Sequence, residues 1–81
     1  MRIDKYLKVS RLIKRRTVAQ SACEGGRIIL NGREAKSGAR VAVGDIITID
    51  FGNRPLTVKV LSVQETVKKE DASAMYEVTE Q

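Results

Sequence analysis

Lys14, Arg15 and Arg16 stand side by side just before a run of mostly small residues, Thr17 to Glu24 (TVAQSACE), that has the pattern of a helix. That is the wrong end of a helix for positive charge. The peptide dipole already places partial positive charge there, and each misplaced cation costs about 0.3–1 kcal/mol. An anion seated among the cations removes the conflict. Free N–H groups at a helix start favour an anion, and planar guanidinium forks match phosphate oxygens in pairs. Arg2, Lys5 and Lys8 lie within about 120° of one another on a helix over residues 2–9, and can extend the same surface. The chemistry open to these residues is phosphate binding; the bland alternative is a solvated charge run.

Other chemistries have little to work with. The 81-residue chain contains no histidine, which removes the commonest general base and metal ligand. Its one cysteine, Cys23, allows neither an internal disulfide nor a Cys-rich metal site, and reads as a small buried hydrophobe. No catalytic residue, no metal and no cofactor is expected. Net charge is +5, but residues 1–40 carry 11 Lys/Arg against three acids, whereas residues 41–81 carry four against seven. A basic half joined to a mildly acidic half implies one anion-facing surface. No apolar run reaches the ~20 residues of a membrane span. The opening residues, MRIDKYLK, are charged where a signal peptide needs apolar ones. A cytoplasmic protein of one small domain is expected.

The elements that must position the cations follow from periodicity. Residues 2–9 read as a helix with Ile3 and Leu7 inward. Arg11-Leu12-Ile13 reads as a connection with two apolar anchors. In the second helix, Val18, Ala19, Ala22 and Cys23 form the apolar stripe, with Gln20, Ser21 and Glu24 opposite, and Gly25-Gly26 supply the stop. The period then changes. Arg27 to Leu30 is a strand, Asn31-Gly32 a hairpin turn, and Arg33 to Lys36 the return. After a loop at 37–40, Val41 to Val43 lead into a Gly44-Asp45 turn. Strands follow at 46–51 and 56–63, then a polar loop or short helix over 65–73 and a last strand at 74–78. The predicted fold class is α+β, two short helices packed on a mostly antiparallel sheet. Asp4 is expected to complement the dipole or orient Lys5 or Lys8, and Tyr6 to pack half-buried. Lys68-Lys69, beside Glu70 and Asp71, fit either a second contact or a solvated loop.

Three segments carry a family resemblance: RIDKYL at 2–7, RRTVAQSACEGGRIILNG at 15–32 and VAVGDIITI at 41–49. In order and spacing they resemble the S4 RNA-binding domain. The KRRT variant and the ending KKEDASAMYEV further resemble the small stand-alone S4 proteins of bacterial ribosome-associated quality control, the RqcP type, related to ribosome-associated heat-shock S4 proteins. The resemblance implies an S4-like (alpha-L) domain over 1–63 and a charged C-terminal extension over 64–81 that packs on or extends the sheet. Arg2, Lys5, Arg15, Arg16 and Thr17 become RNA-contact candidates, with Lys8, Arg11 and Lys14 on the same surface and Arg27, Asn31 and Arg33 as a second group. Arg15 stands where the S4 pattern often has serine, a good helix cap, so cap stability is exchanged for charge.

With only three aromatic residues, a base-stacking platform is not expected, and structured RNA read by shape and backbone is. The resemblance implies 23S-type rRNA of the large ribosomal subunit and tRNA as partners. It also implies a role beside a tail-elongation factor on subunits obstructed by peptidyl-tRNA. A ribosome-associated monomer with no membrane contact is expected. Three other readings are open to the sequence: an S4 protein of subunit assembly or recycling, an S4 fragment of an RNA-modifying or aminoacylating enzyme, and a membrane-surface or protein-binding module.

Overall fold

The computed structural model describes residues 1–79. The sequence-predicted C-terminal extension reaches residue 81, so its last two positions lie outside the described residues. Helix α1 (Ile3–Val9) and helix α2 (Arg16–Glu24) are followed by strands β1 (Ile28–Leu30), β2 (Arg33–Glu34), β3 (Ile46–Asp50) and β4 (Pro55–Val60), a 3-10 helix (Lys69–Met75) and strand β5 (Tyr76–Val78). The strands form one sheet in the order β2-β1-β3-β4-β5. Every neighbouring pair is antiparallel, so the sheet is wholly and not mostly so.

The sheet follows from alternation. Ile47 and Ile49 of β3 and Val58 and Val60 of β4 point to one face and are buried there with Ile28. Ile3, Tyr6 and Leu7 of α1, with Ala19 and Cys23 of α2, close the same core. On the opposite face Thr57 is buried, although alternation with Val58 would turn it to solvent. Thr57 faces Thr48 across the β3–β4 pair, their hydroxyls 3.0 Å apart, and Thr57 is 7% exposed. A cross-strand threonine pair covers itself in a way that strand periodicity does not reveal.

Local signals set the element ends. Asn31 and Gly32 take φ of 53° and 86°, the two left-handed positions that a two-residue hairpin requires. α2 ends in a Schellman arrangement: Gly26 at φ 75° donates to the Cys23 carbonyl, and Arg27 N–H to that of Ala22. Strand β4 stops at Val60, short of the expected Val63, because the N–H groups of Leu61 and Ser62 both turn to the Met75 carbonyl. Residues 74 and 75 belong to the 3-10 helix, and β5 begins only at Tyr76, where it pairs with the free edge of β4.

Tyr6 is fully buried, not half-buried. Its hydroxyl donates to the same Met75 carbonyl at 2.7 Å, tying α1 to the segment before β5. Burial, and secondarily the nearby Tyr76, push its ionisation well above the ordinary tyrosine range, so it stays a neutral donor. Tyr6→Phe keeps the ring but deletes this bond, while two backbone N–H groups still satisfy Met75. The expected loss is about 1 kcal/mol, or roughly 4–8 °C in Tm, in chemical and thermal denaturation. An unchanged Tm would show that the bond contributes nothing to the anchoring of the C-terminal segment.

Candidate nucleic-acid interface

Asp4 organises the cationic surface. It lies one turn before Leu7 on α1 and is fully buried, although it is ionisable. Its Oδ1 accepts the Lys5 N–H at 2.7 Å, and its Oδ2 accepts Gln20 Nε2 at 2.9 Å. Arg16 meets it with two nitrogens, Nε at 3.4 Å from Oδ2 and Nη2 at 3.4 Å from Oδ1. Arg2 Nη2 completes the set at 3.3 Å from Oδ2. Burial by itself would raise the Asp4 pKa. The bonds from Gln20, Arg16 and Lys5, with the Arg16 charge, outweigh it and hold the carboxyl below its ordinary value. The expected partners Lys5 and Lys8 are corrected here: Asp4 takes only the Lys5 backbone, and it orients the two arginines.

Those arginines are only partly consumed. Their side chains remain 48% and 42% exposed, and one carboxylate cannot neutralise two guanidiniums. Arg2 is held from behind as well. Its backbone bridges Arg40, Ile3 N–H donates to the Ala39 carbonyl at 2.7 Å, and the guanidinium lies over Gly38. The two cations are fixed side by side with donors left facing outward.

The rotation of α2 follows from the same carboxylate. At 100° per residue, the stripe of Val18, Ala19, Ala22 and Cys23 has its centre between Ala19 and Ala22. Ala19 and Cys23 are the buried pair, while Val18 is 51% exposed and Gln20 partly buried. The helix is turned by roughly 50° relative to its apolar stripe, bringing Arg16 and Gln20 to Asp4 and carrying Val18 outward. Val18 as core and Gln20 as a surface residue are therefore both corrected. Cys23 sits deep in the contact; burial, then the charges of Asp4 and Glu24, push its thiol up to about 11, so it is unreactive packing.

Arg15 occupies the cap position of α2 with extended backbone and no side-chain cap bond, and no acid lies in the first turn. Arg15 and Thr17 are exposed beside those uncapped N–H groups. Lys8, Arg11 and Lys14 line a shallow cavity with Val9, Glu65, Thr66 and Val67. Arg11 takes φ 63°, a left-handed position that favours glycine, and closes α1 by donating to the Lys8 carbonyl. A cation is thus kept where glycine would be the easier residue. Lys5 does not stand free: its ammonium pairs with Glu65.

The second group is placed differently. Arg27 follows the C-terminal end of α2, about 13 Å along the helix from Arg16. Arg33 is exposed on β2, and Asn31 is committed to the fold. Asn31 Oδ1 accepts Ile46 N–H at 2.9 Å and its Nδ2 donates to Asp45 at 3.2 Å, locking the hairpin to the Gly44-Asp45 turn. Lys68 and Lys69 are exposed at the start of the 3-10 helix. Sequence reasoning missed Gln20 and Glu65. The i, i+4 spacing of Arg16 and Gln20 was a usable signal for the first, and nothing local marked the second.

The depressed Asp4 pKa makes a directional prediction. A carboxyl stabilised as its anion adds stability at neutral pH, and that share is lost as pH falls below about 4, through its folded-state value. Asp4→Asn is expected to cost about 1–2 kcal/mol at pH 7, discounted for the half-exposed arginines, and to flatten the acid limb of the stability curve. Parallel wild-type and variant curves between pH 3 and 7 would remove Asp4 from this role.

Comparison with known proteins identifies the family and the fold. The S4 domain model matches residues 1–47. A Halalkalibacterium halodurans protein called RQC P-site tRNA stabilizing factor is 58% identical over 96% of this chain and 89% of its own length. A Streptococcus pneumoniae protein of the same name is 56% identical over the same shares. Among solved structures, the trimeric structure of Vibrio cholerae heat shock protein 15 superposes with a TM-score of 0.90 at 30% identity, covering 98% of this chain and 81% of that one. The chain belongs to the S4 domain family.

Proposed function

We propose that this chain is a non-enzymatic RNA-binding protein of bacterial ribosome-associated quality control, acting in the cytoplasm on the large ribosomal subunit. The observation that carries the reading is the pair Arg2 and Arg16, held on one buried carboxylate beside the uncapped start of α2. Lys5, Lys8, Arg11, Lys14, Arg15 and Thr17 extend that surface towards structured 23S-type rRNA and tRNA. The names of the H. halodurans and S. pneumoniae relatives support tRNA in a ribosomal P site as one partner. In this reading the domain stabilises RNA on subunits obstructed by peptidyl-tRNA and so supports tail elongation by a separate factor. Residues 64–81 act as an extension of the S4 domain, with β5 completing the sheet edge. Arg27 and Arg33 serve as outlying contacts.

The second reading, which the resemblance to ribosome-associated heat-shock S4 proteins implies, is recycling or assembly of the large subunit without tail synthesis; the V. cholerae heat-shock protein shares the fold. Enrichment on subunits that carry peptidyl-tRNA supports the first reading; enrichment on assembly intermediates supports the second.

The contact reading is tested by salt. If about five cations each neutralise one phosphate, log affinity for a structured large-subunit rRNA fragment falls against log salt with a slope of roughly −3.5 to −4.5. Arg2→Ala or Arg16→Ala should each weaken binding by about 1–2 kcal/mol and make the slope shallower by up to ~0.9. A flat salt response, or folded variants that bind as the wild type does, would contradict the assignment.

A further inference from the structure

Glu65 has an unusual position for an acid in a protein that faces anions. It lies sixty residues from Lys5 in the chain, is 68% exposed, and places Oε1 on the Lys5 ammonium. With Thr66 and Val67 it also forms one wall of the cavity whose other lining includes Lys8, Arg11 and Lys14. Its carboxyl is held below the ordinary range by the Lys5 hydrogen bond and charge, with smaller contributions from the N-terminal ammonium and then Arg16. One carboxylate therefore sits in the field of cations from both helices. Other exposed acids of the same segment, Glu70 and Asp71, make no ion pair among the described residues.

We propose that Glu65 holds the place of an RNA phosphate: in the unbound protein it occupies Lys5 and one wall of the Lys8–Arg11–Lys14 cavity, and an incoming phosphate displaces it. The inference deepens the proposed function and rests on Lys5 being an RNA contact. A carboxylate and a phosphate oxygen make the same charge-assisted bond to an ammonium group, so they compete for it. An exposed pair of this kind is weakly held and readily exchanged. Its effect is to withhold part of the basic surface from loosely bound polyanions, because every ligand that uses Lys5 must first release Glu65. Sparing the fold is natural, since the core contacts of the C-terminal segment run through Tyr6, Ala72 and Met75 and do not involve Glu65.

The test measures binding of full-length wild type, Glu65→Gln, Lys5→Gln and the double variant to purified bacterial large ribosomal subunits, with KCl varied at fixed Mg2+. Glu65→Gln is expected to bind about 3–5-fold tighter at low salt. Its salt slope should be steeper by up to ~0.9, so the advantage closes as salt rises. In the Lys5→Gln background the same substitution should give little gain, and Glu70→Gln, the control, should change affinity far less. If Lys5→Gln weakens binding while Glu65→Gln leaves it unchanged or weaker, the contact stands and the competitor is overturned. If Lys5→Gln has no effect, Lys5 is not a contact and both ideas fail at this residue. Equal gains from Glu65→Gln with and without Lys5 would also overturn the proposal, since they reduce it to general charge.

Discussion

One buried carboxylate sets the arrangement of the rest. Asp4 is closed off from solvent and must keep its charge partnered, because an unpaired buried anion is expensive. Its partners come from four places: the cap and the first turn of α1, and the first and second turns of α2. Meeting that demand fixes how the two helices dock and turns α2 away from its own apolar stripe. The small residues Ala19 and Cys23 allow the close approach, and the sheet beneath them supplies the apolar floor. Packing and electrostatics therefore specify the same helix pair.

The same constraint converts a charge surplus into a shaped surface. A chain with net +8 over its first 40 residues attracts any polyanion. Attraction alone does not place two guanidiniums side by side with fixed orientation. Asp4 does, and it spares the ligand some of the entropic cost of ordering long side chains. Around that fixed pair the remaining cations are more adaptable: Arg15 on an uncapped helix start, and Lys8, Arg11 and Lys14 around a shallow cavity. A fixed centre with an exposed cationic rim suits recognition of a folded RNA by its backbone, where spacing matters more than base identity.

Much of this was legible in the residues, and the misses have physical causes. Strand alternation, Asn31-Gly32 and Gly25-Gly26 are local signals, so the presence of the strands, the hairpin and the end of α2 were legible; the end of β4 and the start of β5, set by the distant Met75 carbonyl and the 3-10 helix, were not. Val18 and Gln20 were misplaced because an apolar stripe was allowed to set the rotation of a short helix, where a buried acid on a neighbouring helix overrode it. That acid was itself readable: Asp4 shares the face of Ile3 and Leu7, a direction in which a solvated side chain has no room. Thr57 depended on a partner across the sheet, Tyr6 on a carbonyl 69 residues away, and Glu65 on a lysine at the other end of the chain. Contacts of that kind leave no mark in any local window.

The most direct test of the account is the RNA affinity of Asp4→Asn, measured at low salt and at a temperature where circular dichroism shows wild type and variant equally folded. The substitution removes a negative charge from the middle of a cationic surface, so a reading based on net charge alone requires binding to tighten. If Asp4 orients Arg2 and Arg16, affinity for a structured rRNA fragment should instead fall, by about 3–10-fold, the equivalent of about 0.7–1.4 kcal/mol. Unchanged or tighter binding by the folded variant would contradict the claim that the buried carboxylate shapes the interface.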